Sequence, residues 1–201
     1  MHANPPFPFA TPPRWYPSSQ RFWGDLPSDL ADWLLNHGSL TQRLRCACAG
    51  RFRVRVLRQG WSRPARDEAR ILGSRLDAWA WTREVQLLCN ERPWVFARTL
   101  IPAHTLRGRG RRLTYLGTRP LGHALFADPD VRRGPVEIAR IIAGQSLHQR
   151  VFAGCAEPPD AIWGRRSVFW IGKCPLLVYE IFLPDLPVSP VTDRTDFYHD
   201  Y

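Results

Sequence analysis

The chain has 201 residues, of which 44% are hydrophobic and nine are Trp, so it can bury a full core and is not a disordered protein. Its formal net charge of +10 suggests nucleic acid, a membrane surface or a small dianionic substrate as a partner. The basic residues are nearly all arginines and are dispersed without one dominant block, so the charge does not single out nucleic acid.

The cysteines and histidines bear on compartment and metal binding. Five cysteines show no paired spacing, so we expect a reduced, cytoplasmic protein in which Cys46 and Cys48 are small core residues. Six histidines form no HxH or HExxH pattern, so we expect no metal site. No apolar run reaches the roughly 18 residues of a membrane span, and the N-terminus lacks the apolar core of a signal peptide.

Composition divides the chain into three segments. Residues 1–20 contain six prolines and predict an extended, flexible arm. Three aromatic residues are expected to pin the end of this arm to the body: Trp15, Tyr16 and Phe22. Residues 21–184 predict one domain, and residues 185–201 predict a polar, proline-broken tail.

Two short helices are predicted at the start of the domain. Residues 27–35 indicate a helix capped by Ser28, and a second helix follows the turn at Gly38 with Ser39 as its cap. Two helices joined by a tight turn in a basic protein are also typical of a helix-turn-helix. The second helix offers few side chains to read bases: Gln42, Arg43 and Arg45.

The rest of the domain predicts mainly antiparallel strands, because apolar and polar residues alternate over short stretches bounded by turns. The predicted strands cover residues 51–58, 79–89, 94–101, 136–142, 167–171 and 175–184. One helix is predicted at 120–126, and irregular connections are predicted at 60–73, 107–112 and 143–161.

Two arginines fall on apolar faces of predicted strands. Arg83 shares its face with Trp81 and Val85, and Arg98 shares its face with Phe96. An unpaired guanidinium in such a place would be costly, unless it reaches water at the edge of the sheet. The alternative is that both arginines point inward and bind an anionic ligand, since the planar guanidinium fits a carboxylate.

One glutamate raises the same question. Glu180 lies in the middle of the apolar strand 175–184 and shares a face with Val178 and Phe182. A buried carboxylate costs several kcal/mol unless it is paired or protonated. A structural ion pair is one explanation, and a cavity that Glu180 lines together with the inward arginines is the other.

Six groups of motifs then place the chain in a family. They are Ala31-Asp32-Trp33-Leu34-Leu35 with Ser39-Leu40-Thr41, Trp81-Thr82-Arg83-Glu84-Val85, Pro93-Trp94 with Ala97-Arg98-Thr99 and Pro102, Pro120-Leu121-Gly122, Ile162-Trp163-Gly164-Arg165-Arg166-Ser167, and Pro175-Leu176-Leu177 with Glu180-Ile181-Phe182-Leu183-Pro184. In this order, over residues 26–184, they resemble chorismate pyruvate-lyase.

The resemblance implies a single α+β domain, with an antiparallel sheet of about six strands and helical hairpins closing over an internal ligand site. It implies conversion of chorismate to 4-hydroxybenzoate and pyruvate, the first step of ubiquinone biosynthesis, without metal or organic cofactor. We expect a monomer that binds chorismate and 4-hydroxybenzoate rather than nucleic acid. The resemblance also suggests that the product passes to a membrane prenyltransferase.

The resemblance further implies which residues contact the ligand. Arg83 would bind the ring carboxylate, Glu180 would accept a hydrogen bond from the ring hydroxyl, and the backbone of Leu121 would help to hold the carboxylate. Leu40, where relatives often have Met, would cover the ring. Three further arginines are candidates for the enolpyruvyl carboxylate, with a sheet-edge or helix-end charge as the alternative for each: Arg98, Arg165 and Arg166.

Two other classes of function stay open at this point. Effector domains of some transcription regulators resemble this lyase fold and bind small molecules without converting them. A basic nucleic-acid-binding protein would instead bind duplexes with a steep dependence on salt.

Overall fold

The computed structural model of the protein describes residues 10–19 and 26–187, in which one antiparallel sheet carries short helices on both faces. The strands are β1 (Tyr16–Pro17), β2 (Phe52–Ser62), β3 (Ala80–Cys89), β4 (Arg92–Pro102), β5 (Val131–Arg133), β6 (Glu137–Ile142), β7 (Ala161–Ile171) and β8 (Cys174–Phe182). The helices are α1 (Ser28–Leu35), α2 (Leu40–Ala47), α3 (Arg66–Ile71), α4 (Leu121–Phe126) and α5 (Ser146–Val151). Short 3-10 helices lie at Thr105–Arg107 and Arg109–Tyr115.

The strands follow the order β1-β6-β7-β8-β4-β3-β2, and β5 pairs with β7 beside this path. Each of these neighbouring pairs is antiparallel. Six strands are long, and β1 and β5 add two and three residues at the margins. The expected α+β domain with an antiparallel sheet is therefore confirmed. No described helix combines the length and apolar character needed to cross a membrane.

The helical hairpin forms close to its predicted place. Ser39 caps α2 by accepting a hydrogen bond from the Gln42 amide at 3.4 Å. The cap predicted for α1 is wrong, because Pro27 occupies the capping position and Ser28 is the first helical residue. Proline suits this position because it has no N–H to leave unpaired.

Three short elements lie where the sequence predicted irregular chain or nothing. They are α3, α5 and β5, each of six residues or fewer. In addition, β2 continues beyond its predicted end to Ser62. Glu68 fixes the start of α3, since its carboxylate accepts a hydrogen bond from the Ala65 amide at 2.8 Å. A segment of this length is too short to show the helical period, so the pattern of apolar residues did not reveal it.

The end of the proline-rich arm packs on the sheet as expected. The Trp15 ring lies 5.4 Å from the Tyr179 ring, and the Arg166 guanidinium lies 4.7 Å from Trp15. Tyr16 pairs with Ile138 of β6. Phe22, most of the remaining arm and most of the predicted tail lie outside the described residues.

A β-bulge separates Arg83 and Arg98 onto opposite faces of the sheet. The β3–β4 turn pairs Leu88 with Pro93, but the next pair is Leu87 with Val95, so Trp94 is an extra residue. Without that residue Arg98 would lie opposite Arg83. With it, Arg83 pairs with Thr99 and the Arg98 side chain points to the other side.

Arg98 belongs to a buried ionic cluster. Its Nε lies 3.1 Å from Glu68, its Nη1 binds Glu84, and Arg150 reaches Glu84 at 3.0 Å. Burial acts to raise the pKa of Glu68, but the adjacent Arg98 outweighs this effect and holds that pKa below its usual value. The assignment of Arg98 to the ligand site is therefore wrong, because its charge is already neutralised on the opposite face.

The structure also corrects the expectation of fully reduced cysteines. Cys48, at the end of α2, forms a disulfide with Cys89, the last residue of β3. The two residues are separated by 41 positions, so their spacing gives no sign of the bond. Three cysteines are free: Cys46, Cys155 and Cys174.

We predict that Arg98→Met lowers the free energy of unfolding by about 3–5 kcal/mol, because it leaves Glu68 buried without its cation. Urea unfolding measures this change. In the control Arg53→Met, an exposed pair with Glu91 is lost, and we expect less than about 1 kcal/mol. If Arg98→Met kept its stability and lost ligand affinity, Arg98 would return to the site.

We predict that Cys89→Ser lowers the free energy of unfolding by about 2–4 kcal/mol, because the unfolded chain loses a covalent constraint. Thermal unfolding without reductant measures the effect. Cys46→Ser is the matched control, since Cys46 is exposed and free. Equal melting temperatures for both variants and the unsubstituted protein would contradict the pairing.

Candidate active site

A cavity lies between one face of the sheet and the helices α2 and α4. Its empty volume is about 530 Å³, a figure that includes its open mouth. Strands contribute Arg83, Val85, Leu87, Ala97, Thr99, Phe169, Val178 and Glu180. The helices and the residue before α4 contribute Leu40, Thr41, Pro120, Leu121, Gly122, Leu125 and Phe126. The lining is thus mainly apolar, with one cation and one carboxylate.

The sheet register places these two charges on either side of β4. Arg83 pairs with Thr99, while Glu180 pairs with Ala97. Strands about 4.8 Å apart and a rise of about 3.4 Å per residue put the two Cα atoms roughly 12 Å apart. The small side chains of Ala97 and Thr99 form the floor between them. One ligand in the cavity can therefore contact both charges.

Arg83 is a buried cation with unused hydrogen-bonding capacity. The residue is 4% exposed, and its Nη2 donates to the carbonyls of Gly117 at 2.8 Å and Arg119 at 3.2 Å. Its Nε is buried and has no hydrogen-bond partner. Burial lowers the pKa of Arg83, and none of the described carboxylates forms an ion pair with it. An anion in the cavity would supply the missing partner.

Glu180 is held from behind by Arg165. The Arg165 Nε lies 2.6 Å from Oε2 of Glu180, and Arg133 reaches the same oxygen at 3.8 Å. Both contacts use Oε2, and Glu180 also lines the cavity. Glu180 therefore combines the two alternatives that the sequence left open: it forms an ion pair and it lines the cavity.

Arg165 also fastens the helical hairpin to the sheet. Its Nη1 donates to the carbonyls of Trp33 at 2.8 Å and Asn36 at 2.6 Å, at the end of α1. These carbonyls have no partner within their own helix, and a cation suits that helix end. Arg165 does not line the cavity, and its Nε and Nη1 are already bonded to Glu180 and to the end of α1. We therefore remove it from the candidates for the enolpyruvyl carboxylate.

Arg166 points to the opposite face, as the alternation along β7 requires. Its Nε lies 2.7 Å from Glu137, and its Nη1 lies 3.6 Å from Asp67. Arg166 therefore lies outside the cavity, and its assignment to the ligand site is wrong.

The helices close tightly over the cavity at one glycine. A Cβ on Gly122, in the first turn of α4, would lie 2.9 Å from Oγ1 of Thr41 in α2. A side chain at this position would require the Thr41 hydroxyl to rotate or one helix to shift. Leu40 and Leu121, the two predicted apolar contacts, stand beside this point and line the cavity.

Sequence reasoning missed several residues around the cavity. Thr41 and Gly122 belong to quoted motifs, but their contact depends on how two helices meet. Phe169 lies on a predicted strand whose partners were not known. Arg133 ends a three-residue strand that has no detectable period. No group of three or more potential metal ligands forms within residues 10–19 and 26–187.

Comparison with known proteins shows the family of this chain. A family profile described as chorismate lyase matches residues 14–190. A probable chorismate pyruvate-lyase of Methylococcus capsulatus is 46% identical over 159 residues, which is 77% of this chain and 94% of that protein. A protein of the same description from an Azoarcus species is 44% identical over 188 residues, covering 88% and 99% of the two chains.

Solved structures show the fold alone. The effector domain of PhnF from Mycobacterium smegmatis superposes with a TM-score of 0.52 at 15% identity, covering 75% of this chain and 91% of that one. The family profile and the two relatives cover most of the chain, and the range matched by the profile includes the strands that carry Arg83 and Glu180. This chain therefore belongs to the chorismate lyase family of enzymes.

Proposed function

We propose that this protein removes pyruvate from chorismate and forms 4-hydroxybenzoate in the cavity between Arg83 and Glu180. One observation carries the proposal: a buried guanidinium without an anionic partner and a carboxylate line the same mainly apolar cavity. The names of the two relatives support the same substrate.

Each residue has a distinct role in this proposal. Arg83 binds the ring carboxylate through its unpaired Nε, with the backbone of Leu121 beside it. Oε1 of Glu180 accepts a hydrogen bond from the ring hydroxyl, while Arg165 holds Oε2. Leu40 covers the ring and excludes water.

The reaction needs orientation more than a strong base. The ether C–O bond of chorismate breaks, the hydrogen on the hydroxyl-bearing carbon leaves the ring, and the enolpyruvyl methylene becomes the methyl group of pyruvate. The ring becomes aromatic, which makes the conversion strongly downhill. Fixing the substrate in a closed, dry site can contribute about 7–11 kcal/mol in favourable cases. Both a cyclic hydrogen transfer and a stepwise elimination use this same geometry.

The biological setting belongs to the proposal as well. We place the reaction at the start of ubiquinone biosynthesis, without a cofactor, in a cytoplasmic monomer that passes its product to a membrane prenyltransferase. The family resemblance supports these statements, whereas the disulfide is more typical of an oxidising compartment.

We expect the purified protein to form 4-hydroxybenzoate from chorismate alone, with the same rate in EDTA. Ultraviolet absorbance follows the product. Binding of chorismate without any product would favour a ligand-sensing domain and would refute the lyase proposal.

Arg83→Gln should lower kcat/KM by about a hundredfold, because the buried carboxylate contact is lost. Arg55→Gln, on the exposed side of β2, is the matched control and should keep full activity.

We expect Glu180→Gln to lower kcat by about a hundredfold, since the hydroxyl loses its charged acceptor. Circular dichroism checks folding. Glu137→Gln, which alters a carboxylate paired with Arg166 on the other face, is the control and should keep normal turnover. Retained turnover with a much lower melting temperature in Glu180→Gln would assign Glu180 a purely structural role.

We expect Gly122→Ala to weaken the retention of 4-hydroxybenzoate by about tenfold, because its Cβ would push α4 away from Thr41. Stopped-flow measurement of product release detects the change. Gly154→Ala is not a suitable control, because Gly154 has a φ of 83°, at which alanine would strain the backbone. Gly108→Ala is suitable, since a Cβ there meets no atom within 4 Å. Unchanged release in Gly122→Ala would show that the α2–α4 contact does not enclose the ligand.

A further inference from the structure

Arg133 borders the cavity from a side that the sequence did not indicate. It pairs with Phe169 of β7, and its guanidinium lies 5.3 Å from the Phe169 ring. Its Nη2 lies 3.8 Å from Oε2 of Glu180. Phe169 and Glu180 both line the cavity. Arg133 does not itself line the cavity, but it contacts two residues that do.

Neutral groups satisfy most of the Arg133 donors. Nε donates to Oγ of Ser167 at 3.1 Å, and Nη1 donates to the His37 carbonyl at 3.1 Å. The one carboxylate within reach, Glu180, is bound more closely by Arg165 at 2.6 Å. Burial, opposed by Glu180 and assisted by the nearby Arg165, lowers the pKa of Arg133 to about 10. Arg133 is thus a poorly compensated cation.

The charges around the cavity do not balance. Among the described residues, three guanidinium groups and one carboxylate are involved: Arg83 and Glu180 line the cavity, and Arg133 and Arg165 contact Glu180. Two positive charges remain when Glu180 is counted against one arginine. Buried charge of this kind is costly unless a ligand neutralises it. A dianion would balance the site, whereas a monoanion would leave one charge over.

The chemistry of the proposed substrate indicates where its second carboxylate lies. In chorismate the enolpyruvyl ether is on the ring carbon next to the hydroxyl-bearing carbon. If the hydroxyl binds Glu180, the second carboxylate must lie beside Glu180. Arg133 is the adjacent guanidinium that is held less closely, because its Nη2 lies 3.8 Å from Glu180, whereas Nε of Arg165 binds Glu180 at 2.6 Å and Nη1 of Arg165 binds the end of α1.

We propose that Arg133 forms a second carboxylate subsite, which receives the enolpyruvyl carboxylate of the substrate. This inference rests on the proposed function, since it takes the hydroxyl to be bound at Glu180. The incoming carboxylate replaces the His37 carbonyl or adds to it as an acceptor for Arg133. The product 4-hydroxybenzoate has one carboxylate and makes no use of this subsite. Arg133 therefore distinguishes the substrate from its aromatic product.

A pair of stable ligands tests the subsite without turnover. The dianion 3-(carboxymethoxy)-4-hydroxybenzoate carries an ether-linked carboxylate beside its hydroxyl, and 4-hydroxy-3-methoxybenzoate lacks only that carboxylate. Isothermal titration calorimetry gives the dissociation constant of each. We expect the unsubstituted protein to bind the dianion about tenfold more tightly or better, because a buried cation gains a charged acceptor. Equal affinity for the two ligands would overturn the proposal.

Substitution of Arg133 then assigns the preference to this residue. We expect Arg133→Gln to reduce the preference to within about twofold while its affinity for the methoxy ligand stays nearly constant. Arg132→Gln is the matched control, because Arg132 precedes Arg133 on β5 and is exposed. Retention of the preference in folded Arg133→Gln would overturn the proposal. Arg133→Lys, which keeps the charge but not the planar guanidinium, should show an intermediate preference.

The outcome is separable from that of the lyase proposal. Chorismate turnover by the unsubstituted protein without a preference for the dianion would leave the reaction in place and exclude the subsite. A preference for the dianion that depends on Arg133, without turnover of chorismate, would support an anion subsite and exclude the lyase activity.

Discussion

The ion pair between Arg165 and Glu180 joins the sheet to the helices that cover it. Nε of Arg165 holds Glu180, and Nη1 of the same group holds the end of α1. Arg165 is 1% exposed, so water cannot replace these bonds. The direction of the Glu180 carboxylate and the position of the α1–α2 hairpin, with Leu40 on it, therefore depend on one buried side chain.

Strand alternation sorts the remaining charges into two sets. Arg165 and Arg166 are neighbours in sequence, yet one binds Glu180 beneath the cavity and the other binds Glu137 on the opposite face. Arg98 and Glu84 likewise form a closed cluster away from the ligand. The cluster carries its own counter-ions, whereas the cavity face has an excess of cations. This difference in compensation separates structural charges from those available to a ligand.

The sequence predicted the long strands and the unusual places of Arg83 and Glu180, because alternation shows which charges lie on apolar faces. It could not predict that Arg98 turns away from Arg83. That outcome depends on the bulge at Trp94, where one extra residue reverses every later side chain of β4. The alternation within each strand thus predicted some of the site residues, but it did not predict the register between strands.

The elements that escaped prediction share a physical cause. α3, α5 and β5 are too short to show a period, and they form because long-range contacts fix them. Glu68 of α3 reaches Arg98 on β4, and Arg133 of β5 reaches Ser167 on β7. The disulfide between Cys48 and Cys89 depends in the same way on chain segments that meet only after folding.

A crystal structure with 4-hydroxybenzoate bound would show most directly whether Arg83 and Glu180 hold the two ends of the ligand. We expect the ligand carboxylate within hydrogen-bond distance of Nε of Arg83, and the ligand hydroxyl within hydrogen-bond distance of Oε1 of Glu180. The ring would lie over Ala97 and beneath Leu40. A carboxylate bound at Arg133 with the hydroxyl directed away from Glu180, or a ligand outside this cavity, would contradict these roles of Arg83 and Glu180.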